Sequence, residues 1–386
     1  MTIRVAITAA ARTPMAGFQG EFADVSCAEL GGAAIRAVHA ASGQAPDELL
    51  MGCVLPAGQG QAPARQAGFA GGLGEDVPAV TLNKMCGSGM AAVAAMSEAI
   101  GSGRIAGGIA GGMESMTNAP YLLPQMRGGA RIGHGRAVDH MFLDGLEDAY
   151  DRGRLMGTFA EDCADRYQFT RAAQDDYAIA SLTRALEAQK TGAFEAEIVP
   201  VTVTTRQGES VVATDEQPRR ALPDKIPKLK PAFRKDGTVT AANASSISDG
   251  AAALALSSEA AAGDVRAWIT GFATHAQAPG WFTTAPVPAA QKLLDRLGWA
   301  VGDVDLWEVN EAFAVVPMAF MREMGVTHEV TNVNGGACAL GHPIGASGAR
   351  ILVTLLHALE ARDLRRGVAA ICIGGGDGMA MAIERP

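Results

Sequence analysis

Leu82-Asn83-Lys84-Met85-Cys86-Gly87-Ser88-Gly89-Met90 puts a cysteine where one periodicity gives way to another. The run before it, residues 77–82, is short and β-like, and the Ala- and Met-rich run that follows to about Ile100 has helical character. Cys86 is therefore expected where a strand turns into a helix. The unpaired N–H groups and positive dipole end of a helix favour thiolate over thiol, while Gly87 and Gly89 leave room for a substrate beside the sulfur. At this point a second reading stands level with the first: a buried cysteine that acts as a small hydrophobe.

The same alternation extends in both directions. Val5-Ala6-Ile7-Thr8 reads as a first strand, and residues 26–41 as a helix with Leu30, Ala33, Ala34 and Val38 on one face and Asp24 or Ser26 as cap. Residues 48–55 read as a second strand, and 105–110 as a strand that ends in Gly111-Gly112-Met113-Glu114. Gly58-Gln59-Gly60 lacks the third glycine of a dinucleotide turn, and Pro63 interrupts it. From about 118 to 243, charges, aromatics and loop formers replace the Ala/Gly pattern, apart from a helix near 171–190 and a strand near 198–203. Beyond Arg266 the first pattern returns. Ala267-Trp268-Ile269-Thr270 echoes the first strand, 288–309 echoes 26–55, and Gly367 to Gly378 echoes the glycine-ended strand before Glu114. Such a duplication implies an α/β protein of two similar halves, 1–117 (completed by 244–264) and 265–386, with a lobe inserted at 118–243. Strand ends from both halves then converge on one pocket.

Composition narrows the function classes. The 386 residues carry a net charge of -9 and 47 glycines, and 48% are apolar, which suits close-packed α/β layers and not a nucleic-acid surface. Six scattered cysteines, with no CxxC pair and no ligand-like histidine spacing, suggest neither a disulfide framework nor a metal site. The N-terminus lacks the pattern of a secretory signal, and no uncharged apolar run reaches the ~18 residues of a membrane span. The expectation is a soluble cytoplasmic protein. Residues 219–235 hold seven cations and one acid; interleaved prolines and Phe233 make this an ordered loop, suited to a phosphate-bearing ligand.

Three further stretches that read as strand-to-helix turns carry reactive or polar groups: Asn310-Glu311-Ala312-Phe313, the block Asn334 to Gly348 containing His342, and Cys372-Ile373-Gly374-Gly375-Gly376. A thiol nucleophile needs a base and an oxyanion site, and His342 and Asn310 are candidates for these roles. Cys372, at a second strand end, suits proton transfer at a carbon beside a carbonyl, provided desolvation tunes its thiol close to neutrality. Backbone N–H groups at Cys86 and Gly374 are candidates for a second anion pocket.

These four blocks, Asn83 to Gly89, Asn310 to Phe313, Asn334 to Arg350 and Cys372 to Gly376, resemble the signature blocks of the thiolase family, and the resemblance runs over essentially the whole chain. It implies a five-layer αβαβα fold with a loop domain inserted in the first half, and condensation or thiolysis of coenzyme A thioesters. It implies that Cys86 accepts the acyl group, that His342 activates it and shares an oxyanion site with a water on Asn310, and that Cys372 exchanges the α-proton. The N–H groups of Cys86 and Gly374 would hold the thioester oxygen. Arg219 or Arg220, Phe233 and Ser245 would lie along coenzyme A, with Met156, Phe282, Ala312 and Phe313 at the substrate. No metal or separate cofactor is implied, since coenzyme A arrives with the substrate, and no nucleic acid or membrane partner is implied. Residues 119–141 resemble the loop that pairs dimers of the family into homotetramers. Leu155, Phe282 and Ser246-Ile247-Ser248 depart from the short-chain biosynthetic pattern, so a degradative thiolase for longer chains stands as the alternative to an acetyl-CoA acetyltransferase. A catalytically silent scaffold is a third reading, against which every reactive residue is in place.

Overall fold

The computed structural model describes residues 3–206 and 208–386. The first half comprises β1 (Val5–Arg12), the two-residue β2 (Ala16–Gly17), α1 (Cys27–Ser42), β3 (Glu48–Gly52), α2 (Pro63–Ala70), β4 (Ala79–Leu82), α3 (Ser88–Gly101) and β5 (Gly107–Ser115). A lobe then intervenes, with paired β6 (Tyr121–Leu122) and β7 (Val138–Asp139), α4 (Met156–Tyr167), α5 (Arg171–Thr191), paired β8 (Val201–Thr205) and β9 (Gly208–Val212), and α6 (Glu216–Arg220). β10 (Ser248–Ser258) returns to the first half. The second half follows as β11 (Ala267–Ala276), α7 (Pro286–Leu297), β12 (Leu306–Val309), α8 (Val315–Met324), α9 (Ala337–Leu340), α10 (Ile344–Ala361), β13 (Arg366–Ile373) and β14 (Asp377–Glu384).

Strand pairing displays the duplication directly. In the first half β3 runs parallel to β5, β5 antiparallel to β10, and β10 antiparallel to β1. In the second, β12, β13, β14 and β11 repeat those three relations in the same order. The lobe occupies the β5 to β10 connection, whereas the equivalent β13 to β14 turn is Gly374-Gly375-Gly376, with φ of +93° at Gly375 and Gly376 that glycine adopts without strain. β1 and β11 pair with each other over Val5↔Ile269, Ala6↔Trp268 and Ile7↔Ala267, so the two half-sheets join edge to edge. The sequence pattern foresaw two packed halves but not this seam.

The layers follow from which faces are apolar. α3 and α10 share one core cluster with strands of both halves, α1 and α2 pack on the outer face of the first half, and α7 and α8 on that of the second. The result is the αβαβα arrangement. A β-carbon on Gly89 would sit 2.7 Å from the Ala349 nitrogen, and one on Gly348 would sit 2.5 Å from the Met90 nitrogen. Glycine on each helix thus lets α3 and α10 meet almost backbone to backbone. α10 is the one described helix long and apolar enough to cross a membrane, but 89% of it is buried inside the protein.

Local differences from the sequence pattern have physical causes. β3 stops at Gly52 because the N–H groups of Val54 and Leu55 turn to the Glu114 carboxylate, at 2.9 and 3.1 Å. β5 continues through its glycines to Ser115, because Gly111 lies against the Ala252 carbonyl and Gly112 against that of Gly345, where a side chain would not fit. Of the two candidate caps, Ser26 closes a reciprocal box with Glu29. The lobe is tied down by Arg12, fully buried, whose guanidinium donates to Glu197 at 2.5 Å and to both oxygens of Asp215 at 2.7 and 3.0 Å.

Candidate active site

Cys86 sits between β4 and α3, as its position in the sequence implied. Met85 takes a left-handed φ of +47°, and the Ser88 hydroxyl accepts from the Lys84 N–H at 2.8 Å while donating to the Met85 carbonyl at 2.6 Å. This locks the turn. Cys86 lines a cavity of about 380 Å³ whose walls are almost wholly apolar. The expected thiolate is not found: burial pushes the Cys86 thiol up to about 11, against the pull of N–H groups from Gly374 and from Cys86 itself. The helix dipole fails to win because α3 begins at Ser88, with Gly87 as its cap, so Cys86 lies outside the first turn.

His342 lines the same cavity. Ser347 Oγ gives its proton to the Pro343 carbonyl at 2.9 Å and so must accept at 2.6 Å from His342 Nδ1. That fixes the tautomer, leaving a lone pair on Nε2, which is buried and without a partner. Burial, helped by the Arg350 charge, lowers the imidazole to about 3, so it is a neutral base. Asn310 follows β12 and is fully buried, and neither Nδ2 nor Oδ1 has a partner. Asn310 does not line the cavity, though its neighbour-but-one Ala312 does; buried polar atoms left unpaired mark where water binds.

Cys372 is the last residue but one of β13, two before Gly374, and close enough to Cys86 for that thiol to help raise it. Two expectations for it need correction. It is fully buried and does not line the Cys86 cavity, and burial holds its thiol well above the ordinary range, not near neutrality.

Of the expected substrate contacts, Met156, Phe233, Ser245, Phe282, Ala312, Phe313 and Gly374 all line the cavity. Phe282 meets Phe159 and Phe313 edge-on at 6.3 and 6.5 Å, and Phe313 takes Phe233 at 6.0 Å, forming an aromatic wall. A second cavity of about 300 Å³ shares Ala241 and Ser246 with the first and carries Arg220 and Lys225. Arg219 lines neither; it is held by Glu21 at 2.8 Å and the Asp215 carbonyl. Of the two arginines, Arg220 is the one that lines a cavity.

Sequence reasoning missed Ser347, although it lies within the His342 block. It also missed Glu311, whose carboxylate accepts from Tyr177, Ser181, Asn332 and the Cys338 N–H at 2.8, 2.8, 2.8 and 3.0 Å, tying the Asn310 turn to α5 of the lobe. Leu155, Ser246 and Ile247, noted only as departures, are cavity walls. Spacing gave no hint that Cys27, Cys53 and Glu114 bring their ligand atoms within 4.8 Å of one another in the core. Glu114 already accepts three backbone N–H groups there, from Val54, Leu55 and Gly345.

Residues 5–260 match the model of the thiolase N-terminal domain, and residues 264–385 that of the thiolase C-terminal domain. The chain belongs to the thiolase family. This thiolase is 47% identical to acetyl-CoA acetyltransferases of Cupriavidus necator and Pseudomonas aeruginosa, in each case over 99% of both chains. Its fold superposes on the crystal structure of the Bacillus anthracis acetyl-CoA acetyltransferase with a TM-score of 0.97 at 39% identity, covering 100% of this chain and 99% of that one.

Proposed function

We propose that this thiolase is an acetyl-CoA acetyltransferase, joining two acetyl-CoA to acetoacetyl-CoA and free coenzyme A, and catalysing the reverse thiolysis. The observation that carries the reading is that Cys86 and a tautomer-fixed His342, with its Nε2 unpartnered, line one apolar cavity. The likeness to acetyl-CoA acetyltransferases supports the acetyl preference.

In the first half-reaction His342 Nε2 takes the Cys86 proton as the sulfur attacks the thioester carbon. The oxyanion is held by donors at Asn310 and His342. Coenzyme A leaves with the proton of Cys372, so Cys372 becomes a thiolate and His342 stays protonated. A buried thiol that keeps its proton at rest suits this order, acting first as acid and then as base. In the second half-reaction Cys372 takes the α-proton of a second acetyl-CoA, and its enolate attacks the acyl-enzyme carbonyl. The thioester oxygen there rests on the N–H groups of Cys86 and Gly374. Cys86 leaves and recovers the proton from His342, so every proton is accounted for. Since a thioester is already activated, the sequence of steps draws on coenzyme A alone.

Phe282, wedged between two other rings, limits the acyl end to short chains. The enzyme is assigned to the cytoplasm. Its loop 119–141 exposes Tyr121, Leu123, Met126 and Ile132, which suits a homotetramer, and light scattering tests it. For substrate, thiolysis of acetoacetyl-CoA is compared with that of six- and eight-carbon homologues. A higher kcat/KM for acetoacetyl-CoA is expected; a higher value for the longer esters would make this a degradative thiolase.

A further inference from the structure

Lys84 stands two residues before Cys86, and Asp377 five residues after Cys372. Lys84 Nζ donates to Asp377 Oδ2 at 2.7 Å, across the gap between the two turns that carry the thiols. Those turns already touch. A β-carbon on Gly87 would fall 2.4 Å from Ile373 Cδ1, and one on Gly374 would lie 3.9 Å from Met85 Cε. Each charge also stands on a fixed base. The Lys84 N–H is held by Ser88 Oγ, and Asp377 is the first residue of β14, paired with Ile373 on one side and Ala276 on the other.

We propose that Lys84 and Asp377 form a positioning pair that clamps the Cys86 turn to the Cys372 turn and sets the separation of the two sulfurs. The inference rests on the two-thiol reading above. In acylation the bond forms at Cys86 with His342 as base and Cys372 only protonates the departing thiol, whereas α-proton transfer and carbon–carbon bond formation need an α-carbon held between both sulfurs. Loosening the clamp therefore slows the second half-reaction more than the first. Both side chains are about one-third exposed, so the clamp weakens as salt rises.

The test measures two rates on Lys84→Met, Asp377→Asn and the reciprocal variant Lys84→Asp/Asp377→Lys. One is acetylation of Cys86 by acetyl-CoA; the other is exchange of acetyl-CoA α-hydrogens for deuterium. Each single variant is expected to lose about 5- to 10-fold in exchange but less than about 2-fold in acetylation, with the reciprocal variant recovering most of the loss. High salt should narrow the gap between wild type and single variants. Equal loss in both rates, no loss in either, or failure of the reciprocal variant to recover would overturn the clamp. Cys372→Ala runs alongside: exchange that survives it would overturn the two-thiol reading itself, whatever the clamp variants do.

Discussion

At the residue scale, the site uses burial where the sequence suggested a dipole. Cys86 and His342 are displaced in opposite directions, to about 11 and about 3, so between those limits the thiol keeps its proton and the imidazole stays neutral. The fraction present as thiolate and imidazolium is then independent of pH. The acylation kcat/KM is accordingly expected to be flat from about pH 5 to 9 in stopped-flow measurements. An acid limb near the ordinary histidine value would contradict this. Ser347 acts through the imidazole. Ser347→Ala leaves Nδ1 without its acceptor, and a fall in kcat of about 10- to 100-fold is expected with KM nearly unchanged. Cys86, His342, Asn310 and Cys372 could be named as candidates from the sequence because each sits at the end of a strand-like or glycine-rich stretch with recognisable chemistry. Ser347 was not, because its role depends on where a hydroxyl one helical turn inside α10 sends its proton.

At the scale of elements, what could be read were segments whose pattern is local. α1 carries its own cap and α5 its own period, and both lie within a residue or so of the expected bounds. β3 and β5 were misjudged because their ends are set by partners distant in sequence: Glu114 for the first, Ala252 and Gly345 for the second. The Arg12 cluster is the strongest such case, since β1 supplies the cation and the lobe both carboxylates. Arg12→Met would leave Glu197 and Asp215 buried without their cation. A loss of about 3–5 kcal/mol is expected, seen as an earlier thermal transition, and an unchanged melt would show that the lobe is anchored elsewhere.

At the scale of the whole molecule, the duplication was visible as a repeated strand pattern, but the seam between β1 and β11 was not, because three residue pairs leave no periodic trace. That seam, with the crossing of α3 and α10, brings a turn from each half to one place, and so puts Cys86 beside Cys372. The basic run 219–235 read as one patch, yet Arg219, Arg220 and Arg234 are each paired with an acid, and of its cations Arg220 and Lys225 line the second cavity. The proposed reaction divides the labour between two thiols, one from each half. Intact-protein mass spectrometry after incubation with acetyl-CoA tests it most directly. Wild type and Cys372→Ala should each gain one acetyl group and Cys86→Ala none; an acetyl group on Cys86→Ala, or none on Cys372→Ala, would contradict the assignment.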